Sequence, residues 1–141
     1  MDFSQRIGLY VHIPFCKTKC LYCDFNTYAK IEYLISPYTK ALINEIKMWG
    51  NLLTAPILNT IFFGGGTPSY IPPNDISSII NTINSTFNTV DTSEITIEAN
   101  PDDLDIHQLE QYLFAGINRI SIGVQTFEDK LLSLLGRRHK S

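Results

Sequence analysis

Cysteine is scarce in this chain of 141 residues. There are three, an odd number, which argues against a disulfide framework. Charge is scarce too: 11 Lys and Arg stand against 14 Asp and Glu, a formal net charge of -3. Without a basic excess, composition gives no support for nucleic acid as a partner. No apolar run approaches the roughly 18 residues that a membrane span needs. Met1-Asp2-Phe3-Ser4-Gln5-Arg6 lacks the basic start and long apolar stretch of a signal peptide. Together these absences point to a cytoplasmic protein without a membrane span, whose thiols stay reduced. With 44% hydrophobic and 18% charged residues, the rest has the balance of a globular domain with a real core. The bias toward Asn, Ile, Ser and Thr between Asn74 and Thr92 is not a repeat and carries no functional reading.

The chain alternates strands and helices. Ile7 to Ile13 reads as a buried strand stopped by Pro14. A loop follows to about Tyr28. Ser36-Pro37 then opens a helix with Tyr38, Ala41, Leu42, Glu45, Ile46 and Trp49 at helical spacing, and Gly50 is its expected stop. Ile57 to Phe63 is a second strand running into Gly64-Gly65-Gly66-Thr67-Pro68. Asn74 or Asp75 caps a second helix with Ile76, Ile79, Ile80, Ile83 and Phe87 on one face. Glu94 to Ala99, Leu104 to Ala115, Ile117 to Val124 and Phe127 to Leu135 complete the alternation, with Gly116 and Gly136 closing the last two helices. The predicted fold class is α/β, with about four parallel βα units joined by right-handed crossovers. Such sheets carry function at the C-terminal ends of their strands. There lie the cysteines, the glycine run, Glu98 with Asn100, and Gln125. Four strands do not close a barrel. The sheet therefore looks unfinished, and the chain is expected to be the N-terminal part of a longer protein.

All three cysteines fall in Cys16-Lys17-Thr18-Lys19-Cys20-Leu21-Tyr22-Cys23. Three readings are open. Buried cysteines can be small hydrophobes, but clustering beside Lys17, Lys19 and Asp24 is unusual for that role. A zinc site would need His12 as a fourth ligand, awkwardly placed in a strand before a proline. An iron–sulfur cluster is normally held by four thiolates, so three would leave one iron open to another ligand. That last reading is favoured. The lysines could offset thiolate charge or simply be solvated. The glycine run allows close backbone approach, for a tight turn or for a small polar ligand; it has neither the Lys of a P-loop nor the dinucleotide fingerprint. Glu98 either caps a strand end on a backbone amide or accepts from a ligand. Gln125 and Arg137 offer an amide and a carboxylate-binding fork. His12, His107 and His139 are expected to be structural or surface residues, and Asp102-Asp103 a solvated helix start.

Cys16-x3-Cys20-x2-Cys23 resembles the radical S-adenosylmethionine (SAM) signature. Tyr10-Val11-His12-Ile13-Pro14-Phe15-Cys16, Phe63-Gly64-Gly65-Gly66-Thr67-Pro68-Ser69, Ile97-Glu98-Ala99-Asn100-Pro101, Ser121-Ile122-Gly123-Val124-Gln125-Thr126-Phe127 and Leu135-Gly136-Arg137-Arg138-His139 resemble the coproporphyrinogen III oxidase-like branch in the same order. The resemblance implies that Cys16, Cys20 and Cys23 hold a [4Fe-4S] cluster whose open iron takes the amino and carboxylate groups of SAM. It implies that Gly65, Gly66 and Thr67 contact the methionine part of SAM, and that Tyr10, Tyr22, Glu98, Gln125 and Arg137 line the pocket. In the family, an electron from the cluster cleaves SAM to methionine and a 5′-deoxyadenosyl radical.

Within that branch, the true oxidase carries a further cysteine two positions after the third, where this chain has Phe25, and a longer N-terminal extension. Cys23-Asp24-Phe25-Asn26, the Ile97–Pro101 motif and the Leu135–His139 motif are similar to the HemW-type haem chaperones. That resemblance implies haem or porphyrin binding and delivery of haem to respiratory haem-acceptor proteins. Oxidative decarboxylation of coproporphyrinogen III is the runner-up, and an inactive gene fragment a third reading. The resemblance implies a partial radical SAM (βα) barrel: proteins of this family are more than twice as long, so the chain is expected to be the N-terminal part of a radical SAM core domain. Alone it is expected to be poorly stable, with an apolar edge exposed at the fourth strand and the fourth helix half packed.

Overall fold

Ile7–Ile13 forms β1, and Pro14 withholds the backbone N–H that would extend it. β2 (Phe15–Cys16) and β3 (Tyr28–Ala29) form a separate two-residue parallel pair, too short for any sequence period to announce. Then come α1 (Ile35–Leu53), β4 (Ile57–Gly65), α2 (Pro73–Thr86), β5 (Asn88–Ala99), α3 (Ile106–Ala115), β6 (Arg119–Ile122) and α4 (Asp129–Leu134). The computed structural model describes residues 7–53 and 56–141, except for the side chains of residues 91 and 92. The six residues read above for a signal peptide lie outside it.

The main sheet is parallel throughout, in the order β1-β4-β5-β6. Its order never reverses, so there is no switch point of the doubly wound kind. Crossovers of one hand then put α1, α2 and α3 on the same face, as in the wall of a (βα) barrel. α1 packs on α2 and α2 on α3. Val11, Ile13, Ile61, Phe63, Ile95 and Ile97 meet the helices, where Ile76, Ile79, Ile80 and Ile83 are fully buried. Each such isoleucine contributes on the order of 1.5–3 kcal/mol relative to exposure. The alternate residues, Tyr10 and His12 on β1 and Phe62 and Gly64 on β4, take the other face. There Tyr10 stacks on Phe62 with ring centroids 6.1 Å apart.

Several boundaries differ from expectation. α1 starts at Ile35 behind a short 3₁₀ turn, not at a Ser36 cap, and Pro37 is tolerated because first-turn N–H groups lack helical partners anyway. Gly50 does not end α1, which continues to Leu53. A Cβ there would collide with the Thr86 side chain, so this glycine serves the contact between α1 and the end of α2. Neither Asn74 nor Asp75 caps α2; Pro72 is its N-cap and Pro73 its first residue, two prolines that preset the helical entry. β5 begins at Asn88, and the register jumps from Leu58↔Thr89 to Thr60↔Glu94. Asp105 caps α3 by accepting from Gln108 N at 2.8 Å, so the helix starts two residues after Leu104. Gly116 ends it at φ +98°, as expected. β6 and α4 are shorter than their apolar patterns. Among the described residues, no helix is long and apolar enough to cross a membrane.

Candidate functional site

The end of β4 is zipped to the start of the cysteine loop. Gly66 N donates to Ile13 O at 2.8 Å and Thr67 N to Phe15 O at 2.9 Å. A Cβ on Gly66 would fall 2.8 Å from Phe15 O, and one on Gly65, where φ is +114°, 2.6 Å from the His12 ring. The glycine run is therefore required first by the protein's own chain, the tight-turn reading, while Gly65 and Gly66 still face the cleft described below.

The cysteine loop is closed by backbone and side-chain bonds. Tyr28 N donates to Pro14 O at 2.8 Å and Cys23 N to Cys20 O at 3.1 Å. His12 Nε2 lies 3.0 Å from Asn26 O, which can only accept, so Nε2 carries the proton and Nδ1 accepts from the Tyr10 hydroxyl at 3.2 Å. Both ring nitrogens are engaged, and His12 is not free to complete a zinc tetrahedron. Among the described residues, no three His, Cys, Asp or Glu side chains converge on a position for a single metal ion. Lys19 Nζ donates to Phe25 O at 3.4 Å, so its first role is holding the loop.

These elements bound a cleft of about 360 Å³ at the C-terminal ends of the strands. Cys16, Cys20, Tyr22 and Cys23 come from the loop; Gly65, Gly66 and Thr67 from the end of β4; Glu98 from β5; Gln125 and Arg137 from the segments after β6 and α4. Tyr10 does not line it and stands behind, on His12. Glu98 Oε2 accepts from Gly65 N at 3.3 Å, the strand-end cap, and still faces the cleft. Gln125 holds φ +64°, a left-handed conformation rare for a non-glycine residue. Arg137 donates through Nη2 to Asn100 Oδ1 and to Gly123 O, both at 2.7 Å, and through Nη1 to Cys20 Sγ at 3.5 Å. Thr67 Oγ1 lies 3.3 Å from Cys16 Sγ. Burial pushes the Cys16 thiol up, and the Thr67 hydroxyl pulls against it. Burial likewise raises the Tyr22 phenol, with Arg137 opposing.

Two buried polar atoms on residues lining the cleft stand out: Arg137 Nε has no hydrogen-bond partner, and Thr27 Oγ1 has none beyond its pull on the Cys16 thiol. Unsatisfied buried donors are rare without a reason. Beside three free thiols they suit an anionic, sulfur-rich group with a polar ligand. Sequence reading missed Thr27, and it misjudged Asp102 and Asp103. Arg138 pairs with Asp102 Oδ2 and Asp103 Oδ1, both at 2.7 Å, and Ser69 Oγ adds a bond to Asp103 Oδ2 at 3.4 Å. Opposite charges 35 residues apart give no local signal of their meeting. His139 Nε2 donates to Val124 O at 3.1 Å, a structural role, and His107 lies beside Gln111 on α3, away from the cleft.

The family model described as the radical SAM superfamily matches residues 10–141. The chain belongs to the radical SAM superfamily. Among relatives of this radical SAM chain, the haem chaperone HemW of Bacillus subtilis (strain 168) is 45% identical over 136 residues, covering 93% of this chain and 35% of the relative. HemW of Escherichia coli (strain K12) is 39% identical, covering 94% and 35%. The mitochondrial radical S-adenosyl methionine domain-containing protein 1 of Bos taurus is 36% identical, covering 98% and 31%. In fold it is similar to the Escherichia coli coproporphyrinogen III oxidase HemN, a radical SAM enzyme, with a TM-score of 0.91 and 31% identity over 98% of this chain and 32% of that one. The chain thus spans about a third of the length of the curated relatives it matches. The superfamily implies a [4Fe-4S] cluster and SAM.

Proposed function

We propose that residues 1–141 are the N-terminal part of a radical SAM core domain of the HemW type, in a protein that binds haem and hands it to acceptor proteins. The carrying observation is the cleft, in which residues from five separated sequence motifs gather around three free thiols. Cys16, Cys20 and Cys23 hold the [4Fe-4S] cluster, which when bound supplies the electron for SAM cleavage. Gly65, Gly66 and Thr67 form the floor for the methionine part of SAM. Tyr22, Glu98, Gln125 and Arg137 form its wall. Tyr10 buttresses this site through His12, whose bond to Asn26 steadies the far side of the cysteine loop. Three thiols kept reduced for a cluster need a reducing compartment, and we assign the cytoplasm.

Haem transfer is favoured over oxidase activity by the 36–45% identity to HemW-type relatives and radical SAM domain-containing protein 1, and by Phe25 at the rim of the cleft where the oxidase pattern has a cysteine. Respiratory haem proteins are the acceptors this reading names. Anaerobic reconstitution should give about four irons per chain with a brown chromophore; stoichiometric zinc without iron would sink the site. Haem titration followed at the Soret band tests the chaperone reading. The likeness to the oxidase structure supports a second reading, oxidative decarboxylation of coproporphyrinogen III. Turnover of that substrate without saturable haem binding would reverse the order.

A further inference from the structure

The Asn100 side chain takes part in two hydrogen bonds at once, and their directions are fixed by chemistry. Arg137 can only donate, so the atom 2.7 Å from its Nη2 must be the Asn100 carbonyl oxygen. The amide nitrogen is then the group facing Thr67, and Nδ2 donates to Thr67 Oγ1 at 3.4 Å. The Asn100 backbone is held as well, its N–H donating to Ser69 Oγ at 3.2 Å. Thr67 Oγ1 in turn lies 3.3 Å from Cys16 Sγ. A thiolate has no proton to give, so toward Cys16 in that state the Thr67 hydroxyl is the donor. Arg137 reaches Cys20 Sγ directly at 3.5 Å through its other terminal nitrogen. One guanidinium thus sends hydrogen bonds to two of the three thiols, to Cys20 directly and to Cys16 through Asn100 and Thr67.

We propose that Asn100 is a positioning residue that relays hydrogen-bond donation from Arg137 through Thr67 to Cys16, so that two of the three thiolates receive directed donors that tune the group they hold. The inference rests on the cluster-binding reading above. Hydrogen bonds to the sulfurs are among the protein's levers on a cluster's reduction potential, because donors favour the more negative, reduced state. Neither aspartate nor leucine can replace the amide: the first lacks the donor toward Thr67, and the second lacks both groups. Asn100 reaches neither sulfur itself and acts only through its two neighbours.

The test is a double-mutant cycle on the reconstituted 141-residue chain, with Asn100→Leu, Thr67→Val and the pair, read by dithionite titration of the cluster under inert gas. Asn100→Leu and Thr67→Val should each move the midpoint to more negative potential. The pair should move it no further than Thr67→Val alone, because both break one relay. Iron loss to a chelator should quicken by about tenfold in Asn100→Leu, the lower range for residues that orient ligands from behind. Asn100→Ala, whose cavity opens onto the cleft, serves in the same cycle if Asn100→Leu fails to fold by far-UV circular dichroism. Additive shifts, or an unchanged midpoint in the folded Asn100 variants, would overturn the relay alone. An unsubstituted chain that is folded by far-UV circular dichroism yet takes up no iron would overturn the cluster reading, and the relay with it.

Discussion

On α2, Ile76, Ile79, Ile80 and Ile83 are fully buried, whereas on α3 Leu113 and Phe114 stand 72% and 95% exposed. α4 continues the second pattern, with Leu134 73% exposed behind an equally open Phe127. The middle of the sheet and its β6 end are made of the same βα unit. They differ in what the helices' apolar residues find to bury against. β1, β4 and β5 form the packed side, and β6, like β1, is an edge strand among the described residues. The cleft is shared between these regions. The cysteines and the Gly65–Thr67 turn sit on the packed side; Gln125 and Arg137 come from the thinly covered one. Three consecutive side chains secure the latter: Arg137 on Asn100 and Gly123, Arg138 on Asp102 and Asp103, and His139 on Val124. One half of the site rests on hydrophobic burial and the other on polar clamps. They should fail differently.

The largest effect is expected on the packed side. Ile80→Ala removes a fully buried side chain and should lower unfolding stability by about 2–5 kcal/mol in a urea titration. At the clamped end, Arg138→Met leaves Asp102 and Asp103 without their cation, and hydrogen bonds to charged groups are worth about 1.5–3 kcal/mol. This variant should weaken SAM binding, measured by calorimetry, more than it lowers the urea midpoint, because the bridge holds the residue next to Arg137. Equal losses in both would remove the distinction drawn here.

A smaller effect depends on pH. Burial pushes the Tyr112 phenol up to about 12. A raised pKa means that the neutral phenol is the form the fold favours. The stability it contributes is complete below the unfolded pKa near 10 and is lost as pH rises toward 12. Tyr112→Phe should flatten the fall in melting temperature across that interval. Smallest of all, Phe114→Ser should change stability by no more than about 0.5 kcal/mol, since the ring touches little. It should nevertheless reduce self-association in light scattering if this face is the sticky one.

Where periodicity was long, the sequence sufficed. The isoleucine stripe of α2 and the runs of β1 and β4 appear where expected, because each encodes one face of one element. Gly50 misled for a physical reason. A glycine that stops a helix and one that lets two helices touch look alike until the second helix is in place, and here Thr86 is the neighbour. Asp102 and Asp103 looked solvated because Arg138 lies 35 residues on. Thr27 gave no signal at all: it matters only because the β2–β3 pair folds the loop back on itself.

By itself the sequence determined the order of the main-sheet strands and the helices, the number and spacing of the cysteines and the residues standing at strand ends, all properties of neighbours along the chain. Only the tertiary structure decided which of those strand ends share a cleft, that Tyr10 stands outside it, that His12 is committed to Asn26, and that Asn100 joins Arg137 to Thr67. Those are contacts between residues far apart in the chain, and hydrogen-bond direction depends on which donor reaches which acceptor once the sheet has brought them within about 3 Å.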